Sequence, residues 1–158
     1  FELWQKSLNG NLSNIFIVTK SVVNHMLKRK KGSIINIASD VGIISPDHRI
    51  YEANKRFNYK GVNFNTPISY SVAKSGIISM TRYLATYWAS KGIRVNCLVI
   101  GELENDLSKV PKINIENIPL NKYASDREFN GALIYMISDA STYMTGSIVV
   151  VDGGINCI

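Results

Sequence analysis

Between Leu3 and Lys30 the apolar residues recur at helical spacing. Leu8, Leu12, Ile15, Phe16, Thr19, Val22, Val23 and Met26 fall on one stripe, which predicts a helix with one buried face. Gly32 is placed to close that helix as a left-handed cap. The period then changes. Ser33-Ile34-Ile35-Asn36-Ile37-Ala38-Ser39 is short and isoleucine-rich, and predicts a strand buried on both faces. From Asp40 to Ser69 no period survives, and Gly42, Pro46, Gly61 and Pro67 interrupt the run. Connections of that length are commonly lids or binding loops. A second helix is predicted from Tyr70 to about Ser90, with Val72, Ile77, Met80, Leu84, Tyr87 and Trp88 as its apolar positions and Lys91-Gly92 as its end. Ile93 to Ile100 is a second strand, broken by Gly101. Residues 102–122 read as a polar loop with short helical pieces around Pro111 and Pro119. Ser125 or Asp126 can cap a helix running to about Ser138, and Gly146 to Gly154 is a β-branched strand ending in a turn.

Apolar strands alternating with helices argue an α/β fold: a doubly wound parallel sheet with helices on both faces and right-handed crossovers. Three strands make a narrow sheet, so residues 1–158 are expected to be one partial domain of a wider one. Apolar residues are 46% and charged residues 19%, the balance of a globular chain. The formal net charge of +6 is dispersed except at Lys28-Arg29-Lys30-Lys31. That cluster falls where a helix ends and its dipole favours cations, so no nucleic-acid partner is expected. No apolar run is long enough to span a bilayer, so no membrane partner is expected either. Two cysteines, Cys97 and Cys157, suit a reducing cytoplasm rather than a disulfide scaffold. His25 and His48 lack metal-ligand spacing, and no metal is expected.

Tyr70 and Lys74 stand four residues apart at the start of a helix, one turn apart on the same face. A free phenol titrates near ~10 and is a poor acid or base at neutral pH. A neighbouring ammonium and a helix N-terminus both favour the phenolate, which would fit the tyrosine to pass a proton to or from an alcohol oxygen. Ser39 ends a strand at the edge of the sheet where ligands bind, and its hydroxyl can bond a substrate carbonyl.

Four linked stretches carry a resemblance: Gly32 to Ser39, Tyr70-Ser71-Val72-Ala73-Lys74-Ser75-Gly76, Gly92 to Cys97, and Val151-Asp152-Gly153-Gly154. In order and spacing they resemble the short-chain dehydrogenase/reductases over nearly the whole chain. Trp4 followed by Asn11 resembles the helix that supplies the family's catalytic asparagine. The resemblance implies a Rossmann-like fold and an oxidoreductase that transfers a hydride between NAD or NADP and an alcohol or ketone. It implies Tyr70 as general acid/base and Lys74 as the group that lowers its pKa and holds the cofactor ribose. Ser39 would orient the substrate carbonyl, and Asn11 would hold a water that links Lys74 to solvent. Ile37, Gly101 and Leu103 match positions that line the nicotinamide side. The family's first strands and glycine-rich phosphate loop have no counterpart, so the chain resembles the C-terminal part of the domain. Ile100-Gly101-Glu102, Asn105 and Asn14 depart from the family's usual residues.

The interval from Ser39 to Tyr70 is longer than is usual in the family, and residues 46–67 are expected to form an insertion over the active site. Pro46-Asp47-His48-Arg49-Ile50-Tyr51-Glu52 and Thr66-Pro67-Ile68-Ser69-Tyr70 resemble a subgroup associated with flagellin modification and surface-polysaccharide sugars. Arg49, Lys55, Arg56 and Lys60 would then meet a sugar or nucleotide phosphate. The alternatives are a truncated, non-catalytic scaffold subunit and a 3-oxoacyl carrier-protein reductase. Family members commonly assemble through the two long helices and the last strand, so a homodimer or homotetramer is expected.

Overall fold

The computed structural model describes residues 1–52, 58–59, 62–63, 65–104 and 113–158. Helix α1 spans Glu2–Leu8, a single π-type turn spans Asn9–Ser13, and α2 spans Asn14–Arg29. The one helix predicted from periodicity is therefore two, joined by a wider turn in which Asn14 N–H reaches back five residues to the Asn9 carbonyl. Such turns shift the faces a helix presents and recur at functional sites. Gly32 is not the cap of α2. Lys30 takes the left-handed position, with φ of 52°. Gly32 instead opens strand β1, Gly32–Ser39, where a Cβ would come within 2.6 Å of Met26 Sδ. The glycine is needed for a close approach, not for a turn.

The segment after β1 carries one helical turn, α3 (Arg49–Glu52), and a two-residue hairpin of β2 (Asn58–Tyr59) and β3 (Val62–Asn63). Helix α4 spans Ile68–Trp88 and hands over, through a tight turn and Gly92 at φ 77°, to β4, Ile93–Ile100. Ser125 and Glu128 form a capping box ahead of α5, Asn130–Ile137. Strand β5 is Ile148–Val151, shorter than predicted. Gly153 and Gly154 follow it at φ 70° and 93° and turn the chain back.

The sheet is parallel, in the order β1-β4-β5. Ser39 pairs with Ile100 and Ile100 with Val151, so the three strands end in one row. Alternation along each strand sends side chains to two layers. On one face α2 and α4 bury Val23, Leu84, Ala85 and Trp88 against Ile93 and Val95, and Ile77 and Ile78 against Ala38, Cys97 and Val99. On the other, Met136 of α5 and Phe129 cover Leu98. Helices on both faces make the sheet doubly wound. Among the described strands of this sheet β4 alone is buried on both sides. The predicted double burial fails for β1, where Ile37 is 37% exposed because no described element covers it at that end. The first helix's predicted stripe also divides: Thr19 and Val23 are buried, while Phe16 and Val22 face outward. Among the described residues no helix is long and apolar enough to cross a membrane.

Two polar contacts lock the layers. Asn36 Nδ2 donates to Thr81 Oγ1 at 2.9 Å inside the α4 face. Arg94 donates to the carbonyls of Met136 (2.9 Å), Met144 (3.1 Å) and Ser138 (3.3 Å), placing a cation on the C-terminal end of α5. We expect Arg94→Ala to lower stability by about 2–3 kcal/mol, the scale for charge-assisted bonds left unmade in a partly buried place. Urea unfolding reads this directly, and an unchanged midpoint would contradict the assigned lock.

Candidate active site

Tyr70 and Lys74 sit in the first two turns of α4, both half-buried. The Lys74 ammonium lies over the Tyr70 ring, 5.4 Å from its centroid, a distance at which the ring quadrupole attracts a cation. The predicted pairing of phenol and ammonium is present. Burial pulls the Lys74 pKa down from its ordinary 10.5, because a desolvated ammonium loses hydration. The Cys97 thiol acts on Lys74 electrostatically, but burial pushes that thiol up to about 11, so it is no thiolate at neutral pH. Cys97 is packed in the apolar core between Ile77, Ala38 and Val99.

Ser39 closes β1, and the chain then makes one tight turn, Asp40–Gly42. That turn rests on α4. Ser75 Oγ donates to the Gly42 carbonyl at 2.7 Å, and a Cβ on Gly42 would come within 2.9 Å of the Lys74 carbonyl carbon. The strand end that carries Ser39 is thereby held to the helical turn that carries Lys74. Asn11 lies in the π-type turn, its Nδ2 donating to the Ser7 carbonyl at 3.0 Å. The next residue, Leu12, packs on α4 at Gly76, where a Cβ would meet Leu12 Cδ2 at 2.9 Å. Asn11 is thus one residue from a contact with the turn after Lys74.

The three positions expected to line a nicotinamide are not alike. Ile37 presents an open apolar side chain near the strand ends. Gly101 follows β4 and lies so close to Asp152 that a Cβ would meet its Cα at 2.7 Å. Leu103 packs with the α5-side core, and its backbone bridges to Ala124. Asn105 lies outside the described residues. So do Lys55, Arg56 and Lys60 of the expected phosphate-binding segment. Arg49 is described, and its guanidinium is spent on Asp47: Nε donates to Oδ1 and Nη2 to Oδ2, each at 2.8 Å. This exposed pair holds the Asp47 carboxyl below its ordinary range.

A cavity of about 540 Å3 opens beside the strand ends. Its wall includes Asp40 and Glu102, which follow Ser39 and Gly101, and Asp47, Tyr51 and Thr66 from the expected insertion. Tyr51 and Thr66 hydroxyls bond each other across the segment. Sequence reasoning missed Asp40. Its carboxylate is buried, accepts Ser39 Oγ–H and Val41 N–H at 2.7 Å each, and is pushed up from 3.8 chiefly by desolvation. An acid directly after a strand-ending serine was the available signal. Among the described residues no group of three His, Cys, Asp or Glu side chains is arranged to hold a metal.

Residues 56–156 match the family described as Enoyl-(Acyl carrier protein) reductase, and residues 1–60 match the short chain dehydrogenase family. The chain belongs to the short-chain dehydrogenase/reductase family. It is 34% identical over 157 residues to the 3-oxoacyl-[acyl-carrier-protein] reductase FabG of Chlamydia pneumoniae, covering 96% of this chain and 56% of that protein. It is 31% identical over 164 residues to the 2-dehydro-3-deoxy-D-gluconate 5-dehydrogenase of Bacillus subtilis (strain 168), covering 97% and 56%. In three dimensions it is similar to a short chain dehydrogenase from Leptospira borgpetersenii crystallised with NAD+, at TM-score 0.82 and 28% identity, covering 98% of this chain and 57% of that one. A gluconate 5-dehydrogenase from Burkholderia cenocepacia J2315, in complex with NADP and tartrate, superposes at TM-score 0.83 and 26% identity, with 99% and 57% covered. The chain therefore spans a little over half the length of the short-chain dehydrogenase/reductases it matches. These neighbours agree with the doubly wound parallel sheet read from the strand and helix order.

Lys74 supplies a stability test. Its pKa is lower folded than unfolded, so its contribution is fully present above the unfolded value of 10.5 and is lost as pH falls through the folded value. At neutral pH the buried ammonium is a net cost. We expect Lys74→Met to be more stable than the parent at pH 7 and to lose the parent's gain in stability on raising pH toward 10.5. Thermal melts across that range check it, and equal slopes in both proteins would refute the burial cost.

Proposed function

We propose that the protein is an NAD(P)-dependent oxidoreductase acting on an alcohol or ketone. The observation that carries this is the Lys74 ammonium over the Tyr70 ring, 5.4 Å from its centroid, on a helix that the turn after Ser39 rests upon. The donor set suits the nicotinamide-ribose end of a dinucleotide. Lys74 offers a hydrogen-bonding cation, and Ile37 offers an apolar surface at the open end of the sheet. When bound, the nicotinamide supplies or takes up the hydride.

Tyr70 passes the proton at the substrate oxygen. Lys74 keeps the phenolate accessible and holds the ribose hydroxyls. Ser39 orients the carbonyl, and Asn11 holds a water on the path from Lys74 to solvent. Gly101 and Leu103 shape the backbone beside the nicotinamide. The substrate is sugar-like, and the protein belongs to the branch that serves flagellin modification or surface-polysaccharide synthesis. Support comes from the Pro46–Glu52 and Thr66–Tyr70 motifs and from a cavity whose wall carries Asp40, Asp47, Glu102, Tyr51 and Thr66, groups suited to several hydroxyls. A second reading, a 3-oxoacyl carrier-protein reductase, is favoured by the names of relatives at up to 34% identity. The protein is cytoplasmic, in keeping with the free thiols of Cys97 and Cys157. It is a homodimer or homotetramer, because α2 exposes Phe16 (49%) and Val18 (60%) and α4 exposes Tyr83 (67%) and Tyr87 (56%).

We expect Tyr70→Phe to lower turnover by about 10²–10⁴-fold, the range for a lost general acid/base, while NAD(P) binding persists. Steady-state kinetics with a panel of sugar and 3-oxoacyl substrates, beside a cofactor titration, measures both. Turnover at parental rate in the variant would end the acid/base assignment. Val18→Glu should dissociate the oligomer, as read by light scattering after size exclusion. An assembly of unchanged mass would exclude α2 from the interface.

A further inference from the structure

Ser39 and Asp40 form a pair that the reaction as described does not use. A serine hydroxyl has one proton and two lone pairs. In the structure that proton points to Asp40, with Oγ to Oδ1 at 2.7 Å. Val41 N–H donates to the same oxygen at 2.7 Å, which fixes Oδ1 as an acceptor. The hydroxyl that is to polarise a substrate carbonyl is therefore already engaged. Bonds to an ionised acceptor are roughly twice as strong as neutral ones. Taking the proton from a carboxylate costs correspondingly more than taking it from a neutral acid.

We propose that Asp40 is a positioning residue that gates Ser39: the carboxylate holds the hydroxyl proton away from the substrate, and the neutral acid yields it to the substrate oxygen. The inference rests on the reading of Ser39 as a substrate-facing group. Geometry gives the gate its access, since Asp40 is 7% exposed and lies on the wall of the cavity through which a proton reaches it. Burial also raises its pKa above the ordinary 3.8. Asp152 opposes its ionisation through charge alone, because its own carboxylate is occupied by Gly154 N–H, Asn156 N–H and Asn156 Nδ2. The other ionisable groups on α4 are Tyr70, Lys74, Arg82, Tyr83 and Tyr87, those on β4 are Arg94 and Cys97, and the cavity wall carries Asp47, Arg49, Tyr51, Glu102 and the terminal residue Ile158.

Two measurements test the gate. The first follows the Asp40 side-chain carboxyl carbon by NMR against pH in the 13C-aspartate-labelled protein. The Ser39 bond favours the carboxylate, so Ser39→Ala is expected to move the Asp40 midpoint upward, and an unmoved midpoint would overturn the coupling. This measurement needs no turnover, so it judges the pair even where the catalytic reading fails. The second compares kcat/KM against pH in the active protein and in Asp40→Asn, which keeps an acceptor but never ionises. The parent is expected to gain rate as pH falls through the Asp40 midpoint found by NMR. Asp40→Asn should lack that limb and should exceed the parent at pH 7, by about tenfold if the charge-assisted part of the bond is lost. A variant that is slower but keeps the parental pH profile would mean that Asp40 only supports the fold, and would overturn the gate.

Discussion

The site depends on the seating of one turn on one helix. Ser39 and Tyr70 lie on different elements, the end of β1 and the first turn of α4. The turn after Ser39 meets α4 through Gly42, on the helix backbone at Lys74, and is tied there by Ser75 Oγ to the Gly42 carbonyl. Only a residue without a Cβ fits there. A methyl group would press on helix backbone, which cannot give way as a flexible side chain can. The same helix meets Leu12 at Gly76, so α4 receives the strand turn and the π-type turn on neighbouring positions. Gly42 thus seats the turn after Ser39 on α4 beside Lys74.

The electrostatics around Lys74 run against stability. Partial burial adds a desolvation cost, and no described carboxylate pairs with the ammonium. The neighbouring thiol offers no compensation while it stays neutral. What remains is the face of Tyr70, worth about 0.5–2 kcal/mol according to exposure. A lysine held at a loss beside a tyrosine suits the proposed proton transfer, since perturbed groups of this kind gather at functional sites.

Most of this was legible in the sequence. The boundaries of β4 and of the strand ending at Ser39 follow from apolar runs flanked by glycine and polar residues, and the helix carrying Tyr70 and Lys74 follows from its period. The misreadings share one cause: the deciding contact is tertiary. Gly32 looks like a cap in sequence, but it is the sulfur of Met26 that requires a glycine there. Nothing in residues 9–13 announces a π-type turn, which sets the offset between α1 and α2. Ile37 reads as buried because isoleucine usually is, yet nothing described covers it.

Asp40 and Asp152 show why residue type alone does not assign a role. Both are acids placed just after a strand, and both are buried. Asp152 meets two backbone N–H groups and an amide, donors that cannot release their protons, so it is held as a structural clamp for the glycine turn that follows. Asp40 meets one backbone N–H and one hydroxyl. A hydroxyl can rotate its proton toward another acceptor, whereas a peptide N–H cannot. The difference between a clamp and a gate therefore lies in the donors each carboxylate meets, and only the one beside Ser39 has a donor that a substrate oxygen could compete for.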